Sequence, residues 1–255
     1  MCKFSIIMAT FNSEAFIHNA LCSFINQTYD GDYEIIVVDG GSKDKTVEIL
    51  GRYDENIIKW ISEPDNGIYD AWNKGVKISK GDWILFVGSD DCLIATALKD
   101  YADFLLTLDQ DIEYISSKNL IVDKNGLSIR VKGWKWEWPY FLKEMTVAHP
   151  GSLHSNKLYK KYGYYNTDFK IVGDYEFLLR AKNELKSAFM DKITVNMMEG
   201  GTSDTLAGIW EAFRASTETG KKPYLNAYFN SLYISLKFVV KSLFRKAGIN
   251  FYLKK

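Results

Sequence analysis

Apolar residues alternate between two textures along the first third of the chain. Phe4 to Ala9 (FSIIMA) is a short, nearly continuous apolar run, and Glu34 to Val38, Ile57 to Ile61 and Trp83 to Val87 repeat it. Short runs rich in β-branched residues predict strands covered on both faces. Between them the apolar positions take helical spacing. Phe16, Ala20, Leu21, Phe24 and Ile25 predict a helix over Ala15 to Gln27 with Ser13 as its N-cap, Val47 and Leu50 mark a second, and Ile68 to Ile78 form a third. Strands that alternate with helices imply parallel crossovers. The expected fold class is therefore α/β, with a mostly parallel central sheet flanked by helices.

After Asp91 the pattern loosens. A helix is predicted from Ala95 to Leu108, a strand from Glu113 to Ser116, and a hairpin about Lys124-Asn125-Gly126, where an Asn-Gly pair separates Ile121 from Ile129. Trp134, Trp136 and Trp138 alternate, which places them on one face of an extended segment suited to stacking on sugar rings or to packing in the core. Beyond His149-Pro150-Gly151 a helix begins near Asp174. Near the end Leu225, Phe229, Leu232, Leu236, Val239, Val240 and Leu243 share one helical face, with Asn226, Asn230, Lys237, Lys241 and Arg245 on another. That pattern predicts an amphipathic C-terminal helical tail.

Composition sharpens this. With 47% hydrophobic and 15% aromatic residues among 255, a disordered or low-complexity chain is excluded. Cys2, Cys22 and Cys92 are odd in number and far apart, as expected of reduced thiols. The N-terminus reads as no secretory signal, and no run reaches the ~18 apolar residues of a spanning helix. The formal charge of zero hides two unlike parts: from Thr219 onward there are eight basic residues and no acidic one, so a body of −8 carries a tail of +8. The composition switches at Gly220 to Pro223, the expected boundary between residues 1–219 and 220–255.

Ligands of an open parallel sheet bind beyond the carboxyl ends of its strands. Polar residues gather there in this chain: Thr10 and Asn12, Asp39, Glu63 and Asp65, and Ser89-Asp90-Asp91. Any one of them can be a cap or turn residue. Four in succession indicate a site for a cation or for many hydroxyls. Asp90 and Asp91 repel each other, and a divalent cation that also takes phosphate and water oxygens relieves such a pair. No P-loop, Rossmann glycine pattern or Gly-x-Ser-x-Gly elbow is present, and three histidines with distant cysteines argue against structural zinc.

The residues then carry a family resemblance. The ordered series Ala9-Thr10-Phe11-Asn12-x-Glu14, Val38-Asp39-Gly40-Gly41-Ser42-x-Asp44-x-Thr46, Ser62 to Gly75, Gly81-Asp82-Trp83-Ile84, Ser89-Asp90-Asp91, Gly173 to Arg180 and Gly200-Gly201-x-Ser203 resembles family 2 glycosyltransferases of the GT-A fold. It covers about residues 3 to 205, with the motifs in family order. The resemblance implies a nucleotide-sugar-binding half over residues 1–91 and an acceptor half over 92–219. By the same resemblance Thr10, Asn12 and Glu14 line the nucleotide pocket, and Asp39 hydrogen-bonds the base. Asp65 and the Asp70 to Lys74 segment border base, ribose and sugar. Asp90 lies near the ribose, Asp91 binds Mn²⁺ or Mg²⁺ on the diphosphate, and Asp174 is the general base. The family motif is often Asp-x-Asp, and this chain has Ser-Asp-Asp.

For Asp174 the residues alone offer a second role, as N-cap of the following helix with Glu176 adding charge to its first turn. Weaker acceptor candidates are His149, Trp136 and Glu176. The expected function is inverting transfer from a UDP-sugar to a hydroxyl of a lipid-linked saccharide in polysaccharide or O-antigen synthesis. Expected with it are cytoplasmic residence on the inner membrane, tail contact with anionic lipid, a second copy of the chain as a further candidate partner, and no nucleic acid. The rivals are a sugar-nucleotide nucleotidyltransferase, which needs a glycine-rich basic loop where Ala9-Thr10-Phe11-Asn12 stands, and a glycan-binding subunit without turnover.

Overall fold

The alternating first third builds the scaffold as its pattern implies. In the computed structural model, which describes residues 4–200 and 205–246, β1 (Phe4–Thr10), β2 (Tyr33–Asp39), β3 (Ile58–Ser62) and β4 (Trp83–Phe86) run parallel in the order β3-β2-β1-β4. They are joined by α1 (Ile17–Ile25), α2 (Thr46–Leu50) and α3 (Ile68–Ile78). Side chains of β1 alternate between two cores. Ile7 packs with Trp72, Val76 and Phe86 on one face, while Ile6 and Met8 pack with Leu21, Phe24 and Leu98 on the other. Burial on both faces explains why these strands read as unbroken apolar runs. Ser13 starts α1 differently from expectation. Its carbonyl accepts the Phe16 and Ile17 N–H groups, while its hydroxyl turns away to Phe11 O and Ser89 Oγ.

The second half completes the sheet in mixed sense. β5 (Cys92–Leu93) is short; α4 (Ala97–Leu105), β6 (Tyr114–Val122), β7 (Ser128–Lys132) and α5 (Trp138–Phe141) follow. Then come β8 (Ala148–Ser155), α6 (Asn156–Tyr162), α7 (Gly173–Leu179), β9 (Ser187–Met198), α8 (Leu206–Glu218) and α9 (Tyr224–Lys246). The order continues β4-β8-β6-β9-β5, with β7 on β6. Beyond β4 only the β6–β9 pair is parallel. The expected hairpin at Asn125-Gly126 is the β6–β7 turn. Pro150 sits inside β8 because the β6–β8 register shifts between Ile115 and Ser117, which spares the ladder a missing N–H.

The tail forms the expected helix, but with its faces reversed relative to a packed helix. Ala227 and Ser231 are buried, Asn230 donates its amide to Lys143 O at 2.7 Å, and the apolar row points outward. Leu225, Phe229, Leu232, Leu236 and Leu243 are each more than half exposed. Asn230 thus faces the body rather than the polar stripe expected of it. Among the described residues no helix is long and apolar enough to cross a membrane. Cys2, Gly201, Ser203, Lys254 and Lys255, and the side chains of Lys241, Arg245 and Lys246, lie outside what is described.

Candidate active site

The strand ends and the loops beyond them form two joined groups. The first is built around the β2 end. Asp39 is fully buried, and its carboxylate accepts from the N–H groups of Gly41 and Ser42, from Ser62 Oγ at 2.6 Å, and from Ser42 Oγ. Three of these donors reach Oδ2 and only the Ser42 hydroxyl reaches Oδ1, so Asp39 shapes the loop while Oδ1 keeps room for a further donor. Asn12 adopts a left-handed backbone (φ 49°), a conformation asparagine tolerates, and its Oδ1 takes the Lys43 N–H while its own N–H donates to Ser42 Oγ. Glu14 accepts from Lys45 N–H at 2.8 Å. Thr10 Oγ1 is buried with no hydrogen-bond partner. Asp65 receives the Gly67 N–H at the start of α3, and Lys74 reaches Glu63 at 2.8 Å and Asp70 at 3.9 Å.

A hydroxyl bridge, Ser13 Oγ to Ser89 Oγ at 2.8 Å, ties this group to a cleft of about 590 Å³. The cleft brings together Asp90, Asp91, His149 and Asp174. Gly88 is the hinge point of the acidic pair: a side chain there would begin 2.9 Å from an oxygen of both Asp90 and Asp91. Asp91 is buried, with Oδ1 taking the Met198 N–H from the end of β9 at 2.9 Å. Burial, and after it the Asp90 charge, push its carboxyl up to about 7. A carboxylate so short of compensation fits a divalent cation. Among the described residues no group of three or more His, Cys, Asp or Glu is arranged to hold a metal, so phosphate oxygens and water would supply the remaining ligands.

Asp174 lies one residue inside α7, whose N-cap is Val172, so it does not cap the helix. Its Oδ1 accepts from Tyr69 Oη at 3.0 Å and from the Tyr175 N–H at 2.9 Å. The Tyr69 ring can come this close only because residue 173 is glycine, since a side chain there would meet the ring at 2.8 Å. Burial dominates these bonds and raises the Asp174 carboxyl to about 6, with the Glu211 charge adding to the rise. That value suits a base working near neutrality.

Two supporting residues escaped the sequence reading. Tyr69, inside the Gly67 to Gly75 motif, links α3 to the base. Glu211 on α8 accepts three consecutive backbone N–H groups ahead of it, from Lys170, Ile171 and Val172, at 2.6–2.8 Å. No local pattern marks it, because its partners lie 39–41 residues away. Glu211→Ala is expected to strand those donors, lowering stability by about 1–3 kcal/mol and kcat by roughly tenfold through displacement of Asp174. Loss of its charge should also move the acid limb of the pH–rate profile to lower pH, which thermal melts and a pH titration of activity together would detect.

The acceptor candidates separate. His149 lines the cleft but is buried and stacked on Trp72 (4.9 Å, 17°), and burial pulls its imidazole down to about 3. It is a neutral ring under the site. Trp136 packs on Phe141 (4.1 Å) beside the core, whereas Trp134 is 48% exposed and lines the cleft. The three tryptophans therefore do not share one face. Glu176 is buried in a bidentate pair with Arg180 (2.5 and 3.1 Å) and accepts from Thr219, away from the cleft.

Comparison with known proteins identifies the family and the fold. Residues 5–160 match the model of the family described as Glycosyl transferase family 2. A PGL/p-HBAD biosynthesis glycosyltransferase of Mycobacterium bovis is 29% identical over 213 residues, covering 80% of each chain. The S. aureus TarS 1-349 structure in complex with UDP-GlcNAc superposes with a TM-score of 0.67 at 22% identity, covering 88% of this chain and 69% of that one. The chain spans 41% of a longer S. aureus TarS chain. The mannosyltransferase PcManGT of Pyrobaculum calidifontis, in complex with GDP-Man and Mn²⁺, superposes with a TM-score of 0.63 at 16% identity, covering 88% and 68%.

Proposed function

The chain belongs to glycosyl transferase family 2, and from that premise we propose that it is an inverting, metal-dependent hexosyltransferase acting on a UDP-sugar. The observation that carries this reading is the single cleft in which Asp90 and Asp91 face the same space as Asp174. In this reading the donor's nucleotide lies along the loops of Asn12, Glu14 and Asp65. Mn²⁺ or Mg²⁺, held by Asp91 with Asp90 beside it, would neutralise the charge developing on the diphosphate. Asp174 takes the proton of the acceptor hydroxyl as its oxygen bonds to the anomeric carbon. The bond from that carbon to phosphate breaks with its electrons going to the diphosphate, and a single displacement inverts the centre.

The acceptor is a lipid-linked saccharide of surface-polysaccharide or O-antigen type, reached at the cytoplasmic face of the inner membrane. What supports this is α9, on the 220–255 tail appended to a catalytic body of residues 1–219. Its outward row of leucines and aromatics is joined by basic residues with no acidic one after Glu218. Apolar burial plus roughly 1 kcal/mol per basic residue would hold such a helix on anionic lipid. Leu232→Ser with Leu236→Ser is expected to release the protein from phosphatidylglycerol vesicles in a sedimentation assay at low salt. Equal partitioning of variant and wild type would make α9 a contact between two copies or a plain surface helix.

The enzymatic reading is tested by following UDP or GDP release and product mass with a panel of UDP-sugars and GDP-mannose, Mn²⁺ and a GlcNAc-diphosphate-lipid acceptor. Sugar transfer with anomeric inversion is the expected outcome. Pyrophosphate in place of nucleoside diphosphate would identify a nucleotidyltransferase, and no turnover with any donor would leave a glycan-binding subunit.

A further inference from the structure

The cleft is lined by two unlike sets of residues. Asp90 and Asp91 form one, with Asp91 fixed by the Met198 N–H at the close of β9. Helices α8 and α9 supply the other. Glu211 anchors α8 to the Ile171 and Val172 N–H groups just ahead of α7, beside Asp174, and Asn230 anchors α9 to Lys143 O just past α5.

Helical spacing selects what these two helices show to the cleft. Ile209, Ala212, Phe213 and Ser216 line it at intervals of three and four, so one face of α8 forms a wall. Ile234 of α9 and Met145, from the segment after α5, extend it. Phe213 is braced by edge-to-face contacts with Trp210 and Tyr224, at ring-centroid distances of 5.8 and 5.2 Å. The five apolar side chains of this wall are only partly buried, whereas Val147 and Ala215 are sealed in the core. Lys143 and Glu144 also line the cleft, but they come from the α5 side; among the described residues no charged side chain of α8 or α9 lines it. Apolar surface left incompletely buried in a concave wall favours an apolar occupant.

The cleft's continuity says which occupant. An acceptor whose hydroxyl meets Asp174 must lay the rest of itself along the same cleft. In the reading above the donor's diphosphate and metal take the Asp91 side, which leaves the α8 and α9 wall to the acceptor. We propose that this wall is an aglycone subsite, which takes hydrocarbon joined to the reducing end of the acceptor sugar. The subsite rests on the lipid-linked acceptor reading and narrows it to short glycans whose hydrocarbon begins inside the cleft. Helix α9 then has two apolar sides with different partners: Ile234 inward on the bound chain, and the exposed Leu232 and Leu236 outward on the bilayer into which that chain continues.

The probes are methyl and hexyl β-glycosides of glucose, galactose and GlcNAc, titrated calorimetrically into the full chain with UDP and Mn²⁺ present and no lipid. A buried methylene is worth about fourfold in affinity, so for the sugar that binds best wild type should hold the hexyl glycoside roughly thirtyfold or more tightly than the methyl one. Ile209→Asn with Ile234→Asn should bring that ratio toward one, and Ile209→Leu with Ile234→Leu should keep it. Circular dichroism melts verify the fold, and Ile209→Thr with Ile234→Thr replaces the Asn pair if that pair does not fold. A wild-type ratio near one, no binding of any hexyl glycoside, or a ratio that survives the polar pair overturns the subsite. So does a ratio lost equally in the Leu pair. Loss of the ratio in Leu232→Ser with Leu236→Ser would place the chain on the outward row of α9 and overturn it as well. If the ratio behaves as expected while no donor is turned over, the subsite stands and the catalytic reading fails; transfer to a lipid-linked acceptor with a ratio near one removes the subsite alone.

Discussion

Asp174→Asn is expected to lower kcat by roughly 10²–10⁴-fold, the usual worth of general base assistance, with donor affinity retained. The amide keeps an oxygen for the Tyr69 hydroxyl and the Tyr175 N–H, so the start of α7 should keep its geometry. It cannot accept a proton. Because burial raises the Asp174 carboxyl to about 6, wild-type kcat/KM at saturating Mn²⁺, which would hold Asp91 ionised, should fall tenfold per pH unit below about pH 6 and be flat above it; the variant's residual rate should lose that limb. The same shift sets the sign of the stability effect. A carboxyl whose folded pKa lies above its unfolded value binds its proton more tightly in the folded state, so stability falls as pH rises from about 4 to about 6 and then stays level. Asp174→Asn should therefore melt no lower than wild type at pH 8, and higher if the cost of the buried charge exceeds the hydrogen bonds lost. A variant with near wild-type kcat would remove Asp174 from the base role.

Asp91→Asn is the second large effect. Loss of the carboxylate should raise the Mn²⁺ concentration needed for half-maximal activity and lower kcat/KM by several kcal/mol of transition-state stabilisation, on the order of 10²–10³-fold. The asparagine oxygen can still receive the Met198 N–H, and removing one of two adjacent carboxylates relieves the repulsion from Asp90. Calorimetric Mn²⁺ binding in the presence of UDP reads the first effect, and a thermal melt verifies the fold. Unchanged metal activation would move the metal contact to Asp90 alone.

The sequence was most legible where burial was symmetrical. Strands β1 to β4 carry apolar residues on both faces, and α3 begins and ends where its pattern says, at Ile68 and Ile78. Strand β8 hid because its buried positions are polar or imidazole-bearing, with Ser152, His154 and Ser155 all inside, and because Pro150-Gly151 imitates a turn. β9 mixes Asp191, Lys192 and Asn196 among its apolar residues, and α8 leaves Leu206 and Trp210 half exposed, so neither declares a face. The site divided in the same way. Asp90, Asp91 and Asp174 could be named from motifs, but Tyr69 and Glu211 act through contacts that only the folded chain creates.

One feature of the sheet bears on how the protein acquires its site in time. β5 holds the residues just after Asp91, and its partner is β9, paired Cys92 with Asn196 and Leu93 with Val195, while the Met198 N–H reaches Asp91 across 107 positions of chain. Contacts of such sequence separation form late, since a long loop must close before they repay its entropy. The parallel strands can assemble as soon as they leave the ribosome. Asp91, though, keeps its final geometry only after β9 has been made and docked, so a nascent or truncated chain has a nucleotide platform without its acidic centre, and the capacity for chemistry arrives with the last strand.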